Sequence, residues 1–188
     1  MKLNHALRTF VLATVVSLAA GICSTANATV TDLGLISEGA PTIFQGTVMP
    51  AGTFTDTFTF ILPPNGGSGY SVLNFPVTSN GQTIFNTLFT SMTLVSDPDG
   101  IPFNRDDKNK KTVVAGQNAE SLSMVFEPTA GGHMYLIVAG ATNGTLGGLY
   151  SGAISVSPVP EPGVWLMMLG GIGLLGWVRL RNGKAQLS

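Results

Sequence analysis

Of the side chains that perform acid–base, nucleophilic or metal chemistry, this 188-residue chain has two histidines, one cysteine and ten carboxylates. His5 and Cys23 lie in the N-terminal stretch, which leaves His133 as the single imidazole of the main part. A serine hydrolase needs a histidine oriented by an acid within reach of the nucleophile. The sequence has no Gly-x-Ser-x-Gly, and Gly66-Gly67-Ser68-Gly69 reads as a turn. Zinc needs three or four nitrogen or sulfur ligands, more than one histidine supplies. Glu120 and Glu127 bracket a strand pattern; at about 3.4 Å per residue they stand roughly 24 Å apart, too far for a paired-carboxylate site. The expectation is a protein that is not an enzyme and carries no cofactor. Two acids stand out. Asp56 falls on the aromatic face of Thr53 to Phe60, so its carboxylate points to the core or its rim and must be hydrogen-bonded there. Asp97-Pro98-Asp99-Gly100 places two carboxylates in one turn, a minor candidate for Ca²⁺ together with Asp56, Asp106 or Asp107.

These residues are carried by segments of period two. Threonines take one face of Thr53 to Phe60 and Phe54, Asp56, Phe58 and Phe60 the other, the pattern of a half-buried strand. Similar runs occupy Thr42 to Val48, Tyr70 to Val77, Leu88 to Ser96, Ser121 to Glu127, Met134 to Ala141 and Leu149 to Ser157. Between them stand Pro63-Pro64-Asn65-Gly66-Gly67, Ser79-Asn80-Gly81, Asp97 to Gly100, Gly131-Gly132 and Asn143-Gly144, each a turn signal. Seven or eight short strands so punctuated predict an all-β domain, an antiparallel sandwich or jelly roll, over residues 29–157. Ile101 to Lys111 is charged and poor in apolar residues, which predicts an exposed loop. From Thr29 to Pro160, nine acids against four bases leave a net charge of −5. That balance argues against nucleic acid as a partner.

The two ends differ from the middle. Lys2 and Arg8, an apolar stretch from Phe10 to Ala20, and Ala26-Asn27-Ala28 follow the order of a secretory signal peptide, residues 1–28, cut after Ala28. Lipidation of Cys23 is the rival reading, set against by Ile22 where a small residue belongs. Residues 158–188 hold Pro160-Glu161-Pro162, an uncharged run from Gly163 to Val178, and then Arg179, Arg181 and Lys184. The run predicts a short transmembrane helix, with the bases as a stop on the cytoplasmic side. Five glycines within it permit close approach of a partner helix.

The tripeptide, the short glycine-rich span and Arg179-Leu180-Arg181 together resemble the C-terminal signal of PEP-CTERM proteins, exported by Gram-negative bacteria that make extracellular polysaccharide. The resemblance covers about the last thirty residues. It implies recognition by an exosortase, a membrane transpeptidase that removes the span. The basic cluster is looser than usual and runs on to Ser188. Phe54, Asp56 and Phe58 are similar to the motif of the FxDxF subfamily. The route implied is export through Sec, a precursor held in the inner membrane with its domain in the periplasm, and then the cell surface or matrix. The expected role is a structural or adhesive component linked to exopolysaccharide or biofilm; the alternative is a non-catalytic carbohydrate- or Ca-binding module.

Overall fold

The computed structural model describes residues 27–159 and 162–183. Eleven strands and one helix follow in chain order: β1 (Val30–Leu35), β2 (Thr42–Val48), β3 (Thr53–Leu62), β4 (Gly67–Asn74), β5 (Val77–Ser79), β6 (Gln82–Phe85), β7 (Thr87–Ser96), β8 (Lys108–Ala119), β9 (Ser121–Phe126), β10 (Gly132–Thr142), β11 (Gly148–Ser157) and α1 (Pro162–Gly183). One sheet runs β1-β3-β10-β7-β8 and the other β2-β11-β4-β9, with β5 and β6 paired as a hairpin. The pairs are antiparallel except β1 with β3.

Alternation of small polar and large apolar residues produces this layering. Along β3, Phe54, Asp56, Phe58, Phe60 and Leu62 are buried while Thr53, Thr55 and Ile61 are exposed. Along β11, Tyr150, Gly152, Ile154 and Val156 are buried and Ser155 and Ser157 exposed. The inward sets form one core drawn from both sheets, including Phe58, Met92, Leu94, Leu136 and Val138 from the first and Phe44, Tyr70, Val72, Leu122 and Ile154 from the second. Rings meet between the layers: Phe44 with Phe58 at 4.2 Å, Phe54 with Tyr150 at 5.5 Å, and Phe60 with Tyr70 at 6.1 Å between centroids. Such contacts add to area burial and make each sheet depend on the other.

Two of the rings lie on glycines. In the β2–β11 register Gly46 faces Tyr150 and Phe44 faces Gly152. A Cβ at Gly46 would stand 2.1 Å from the Tyr150 ring, and one at Gly152 would stand 2.1 Å from that of Phe44. Both glycines provide room for a ring packed against the strand backbone. At the tip of the β5–β6 hairpin, Asn80 and Gly81 have φ of 50° and 76°, the two left-handed residues that a tight two-residue turn requires.

The structure corrects the sequence reading in several places. Val30–Leu35 is a strand and pairs in parallel, so the first sheet is not wholly antiparallel. The run from Tyr70 breaks after Asn74, and a separate strand starts at Val77. The charged segment is a loop only as far as Asp107. Lys108, Lys110 and Lys111 belong to β8, an edge strand of its sheet, where lysines discourage pairing with another chain. Of the signal segment expected at residues 1–28, residues 1–26 lie outside the described residues. At the other end α1 covers the apolar run, yet among the described residues no helix is long and apolar enough to cross a membrane. Sixteen uncharged residues rise only about 24 Å against a hydrocarbon core of about 30 Å.

Gly152→Ala is expected to destabilise the domain by about 1–3 kcal/mol through overpacking, read as a lower Tm. Ser155→Ala, one turn of the pleat away on the solvent side, is expected to leave Tm nearly unchanged.

Candidate functional sites

Asp56 is buried, 2% exposed. Its Oδ1 accepts hydrogen bonds from the Thr29 amide at 3.2 Å and the Thr29 hydroxyl at 2.6 Å. Its Oδ2 accepts from the Tyr150 hydroxyl at 2.5 Å. The carboxylate thus joins three pieces of chain: the residue before β1, the middle of β3, and β11 in the opposite sheet. Burial, then the bond to Asp56 and its charge, push the Tyr150 phenol well above its ordinary range. Tyr150 therefore remains the donor. Phe54 and Phe58, on either side of Asp56, are both core residues.

Asp97, Asp99, Asp106 and Asp107 lie in the segment between β7 and β8, at one end of the first sheet. Asp56 pairs with Val138, while Ser96, just before Asp97, pairs with Met134. Four rungs of about 3.3 Å put Asp56 roughly 13 Å or more from this cluster, so Asp56 shares no cation site with Asp97, Asp99, Asp106 or Asp107. Asp97 is 3% exposed, and its Oδ1 has no hydrogen-bond partner. Asp99 Oδ1 accepts from the Ile101 amide at 3.0 Å and its Oδ2 from Asn104 Nδ2 at 2.9 Å. Asp107 Oδ2 accepts from the Asn104 amide and the Tyr135 hydroxyl, both at 2.9 Å.

Desolvation raises the Asp97 pKa, helped by the neighbouring carboxyls of Asp99 and Asp107. The Ile101 amide foremost holds Asp99 low. Burial, then the bond to Asp107, push Tyr135 up to about 12. The two neighbouring carboxyls are thus shifted in opposite directions, Asp97 above the ordinary carboxyl value and Asp99 below it. Among the described residues no three His, Cys, Asp or Glu are grouped so as to hold a metal ion, and the Ca²⁺ expectation at Asp97 and Asp99 is reduced to two ligands. A cleft of ≈ 390 Å³ opens beside the pair, lined by Asp32, Asp97, Gly100, Pro102 and His133 among others. His133 is exposed at its rim. Glu120 and Glu127 are exposed at the two ends of β9.

The aromatic rings that could stack on a sugar separate into two groups. Tyr70, Phe89, Tyr135 and Tyr150 are buried, and Phe85 is half-buried. Phe75 and Phe103 are exposed, at 50% and 61%. Phe103 holds a left-handed φ of 68° and packs on Tyr135 with centroids 5.2 Å apart. Sequence reasoning missed a chain of amides at one end of the sandwich: Asn74 Nδ2 donates to Asn86 Oδ1 and Asn86 Nδ2 to Asn143 Oδ1, both at 2.6 Å, while Asn74 Oδ1 accepts from the Thr87 amide at 2.8 Å. Asn74 falls inside the strand pattern Tyr70 to Val77 and Asn143 in the turn signal Asn143-Gly144, so no sequence pattern joined them to Asn86.

In the tail, Pro158 and Val159 are exposed after β11. Pro160 and Glu161 lie outside the described residues. Pro162 is the first residue of α1, where a missing amide hydrogen costs nothing. Leu166, Met167, Leu169, Ile172, Leu174 and Leu175 are all at least 60% exposed. Arg179 and Arg181 fall in the last turns of α1, and Lys184 lies outside the described residues. At the other end, Ala26 lies outside them too. Ala28 is exposed, between Asn27, which bridges to Phe54, and Thr29.

Residues 158–182 match the family model described as the PEP-CTERM protein-sorting motif. The chain matches no curated protein. Among solved structures it is similar to the pre-peptidase C-terminal domain of collagenase from Bacillus anthracis, with 20% identity over 67% of this chain and 94% of that one and a TM-score of 0.35. The Yersinia pseudotuberculosis-derived mitogen gives 11% identity over 65% and 91%, TM-score 0.33. The periplasmic lysozyme inhibitor PliG of Aeromonas hydrophila gives 15% over 71% and 100%, TM-score 0.32. Likenesses of this size carry no argument about activity.

Replacing Asp97 by Asn tests the carboxyl pair. A carboxyl whose folded pKa is raised favours the fold below its unfolded pKa, about 3.9, and that contribution is lost as pH rises through the folded value. Wild type is therefore expected to lose stability relative to Asp97→Asn as pH rises from about 4 through the raised folded value, seen by denaturant titration. Parallel curves would show that Asp97 keeps an ordinary pKa.

Proposed function

We propose that the chain is an exported, non-catalytic surface protein whose C-terminal segment is a disposable sorting tag read by an exosortase. The observation that carries this reading is the sorting-motif match over 158–182, on a segment whose helix exposes apolar side chains. A helix apolar on every side is stable when lipid or another protein surrounds it. Its shortfall in length is met by local bilayer thinning, or by Arg179 and Arg181 reaching the headgroups. Glycines at Gly163, Gly170, Gly171 and Gly173, with open space around each, favour close contact with a membrane enzyme. Residues 1–28 serve as a Sec signal peptide. The inner membrane then holds the precursor, with the domain in the periplasm, until cleavage near Pro160-Glu161-Pro162 releases it to the surface.

For the released domain, the reading is a structural or adhesive component of the matrix, associated with exopolysaccharide in a biofilm. The acidic balance supports solubility outside the cell. Nothing in the arrangement of acids supports turnover: His133 is exposed without an oriented partner among the described residues, and the Asp56 oxygens are already bonded. A carbohydrate-binding module has less support, because the two exposed rings, Phe75 and Phe103, belong to different loops rather than to one row. The FxDxF assignment rests on Phe54, Asp56 and Phe58, whose placement supports a structural role.

Intact mass of the protein recovered from the cell exterior tests the sorting account. Loss of both ends, after Ala28 and near Pro160, is expected in cells with the exosortase. Without the enzyme, or with Pro160, Glu161 and Pro162 replaced by Ala, the chain is expected to stay in the membrane fraction with its tail intact. A surface form that still extends to Ser188 in exosortase-positive cells overturns the reading.

A further inference from the structure

We propose that removal of the leader after Ala28 turns the backbone amide of Thr29 into an α-ammonium seated on buried Asp56, an ion pair that the precursor lacks and that fastens β1 in the mature domain. The inference rests on the cleavage site given above. The Asp56 carboxylate has no cationic partner among the described residues. Asp56 is 2% exposed, and buried carboxylates are normally paired with a cation or saturated with hydrogen bonds. Its partners among the described residues are all neutral: the Thr29 amide, the Thr29 hydroxyl and the Tyr150 hydroxyl. The bases of the domain are not available to it. Arg105 lies in the loop before β8, and Lys108, Lys110 and Lys111 lie on β8 itself. Two strands, β10 and β7, stand between β8 and β3, a separation of about 14 Å.

Cleavage would supply the missing cation where a donor already stands. Thr29 N is 3.2 Å from Asp56 Oδ1. Hydrolysis of the Ala28–Thr29 peptide bond by water leaves a carboxylate on Ala28 and an amine on Thr29, which takes up a proton at neutral pH. One polarised hydrogen becomes three with a full charge, and charge-assisted bonds are roughly twice as strong as neutral ones. Thr29 itself is exposed, so the ammonium keeps water on its outer side and escapes most of the desolvation penalty of a buried pair. The Thr29 carbonyl keeps its bond from the Thr57 amide at 2.8 Å, which holds the new terminus in register.

A second observation points the same way. In the uncleaved chain the side-chain nitrogen of Asn27 is buried without a hydrogen-bond partner, a cost that departs with the leader. The backbone bonds that Asn27 makes to Thr53 and Thr55 are lost too, but both threonines are exposed and water replaces them. The elements around the site bring no competing charge. β10 offers Val138 opposite Asp56, and β11 offers Tyr150 over Gly46 of β2. On β1, Asp32 is turned to the Gly34 amide and the Thr59 hydroxyl.

The test compares Thr29–Ser188 in mild detergent, released from a fusion so that Thr29 is the first residue, with the same chain acetylated at that amine. Acetylation restores an amide like that of the precursor and removes only the charge. Pairing raises the folded pKa of the amine above its ordinary value of about 8. The gain is therefore present below that pH and lost as pH rises through the raised value. Near pH 7 the free-amine form is expected to melt roughly 3–6 °C higher, with the gap closing in alkaline buffer. The Thr29 amine, followed by NMR, is expected to titrate above its ordinary value, and in Asp56→Asn both differences are expected to vanish. Equal melting of the two forms at neutral pH, or an amine with an ordinary pKa, overturns the proposal, and neither readout requires the Asp56 variant to fold. An N-terminus other than Thr29 on the exported protein would sink the cleavage site instead, which mass alone reveals.

Discussion

The bond between the Tyr150 hydroxyl and Asp56 is the constraint on which the two sheets agree. Apolar faces alone would let one layer slide over the other at little cost, because dispersion and burial have no preferred register. A hydroxyl and a carboxylate at 2.5 Å have one. To place that hydroxyl, the Tyr150 ring crosses the core flat against Gly46, beside Phe54 and edge-on to Phe89. The other carboxylate oxygen draws the chain before β1 onto the edge of β3, where a parallel strand then adds. A buried polar group hydrogen-bonded on both oxygens selects one packing among many of similar apolar area.

Much of this could be read in the residues, and the misses have physical causes. Period-two alternation marks Thr53 to Leu62 and Leu149 to Ser157 because one face of each is dry and the other wet. β8 escaped because it is an edge strand: its first four residues, Lys108 to Lys111, are all exposed, so no alternation survives there. β1 escaped for a related reason, since four of its six residues are exposed and its support comes from backbone pairing and from Asp56, a residue more than twenty positions away. The inward direction of Asp56 was legible, but its partners were not, because Thr29 and Tyr150 are ordinary residue types until the fold brings them together. Likewise Asp97 and Asp99 could be seen as neighbours in a turn, but only the fold shows that burial raises the pKa of one while the Ile101 amide lowers that of the other.

The domain and the tail follow opposite rules. Between β1 and β11 the large apolar side chains are mostly enclosed, and the charged ones, Asp56 apart, lie at edges and loops. Beyond Ser157 the order inverts, and leucines and methionines face outward along α1. One continuous chain thus contains a part built to be surrounded by water and a part whose surface water disfavours, separated by a few proline-rich residues. Proline there denies both helix and sheet a way across the junction, so neither part propagates into the other.

The route by which the tail leaves the sandwich also determines how the domain bears load. β11 is an interior strand, laddered to β2 on one side and to β4 on the other. Tension applied through Ser157 along the strand axis is shared by the rungs of both ladders at once, in shear, rather than peeling them apart in succession as it would if the tether were attached crosswise to an outer strand. A domain pulled by this end resists extraction collectively.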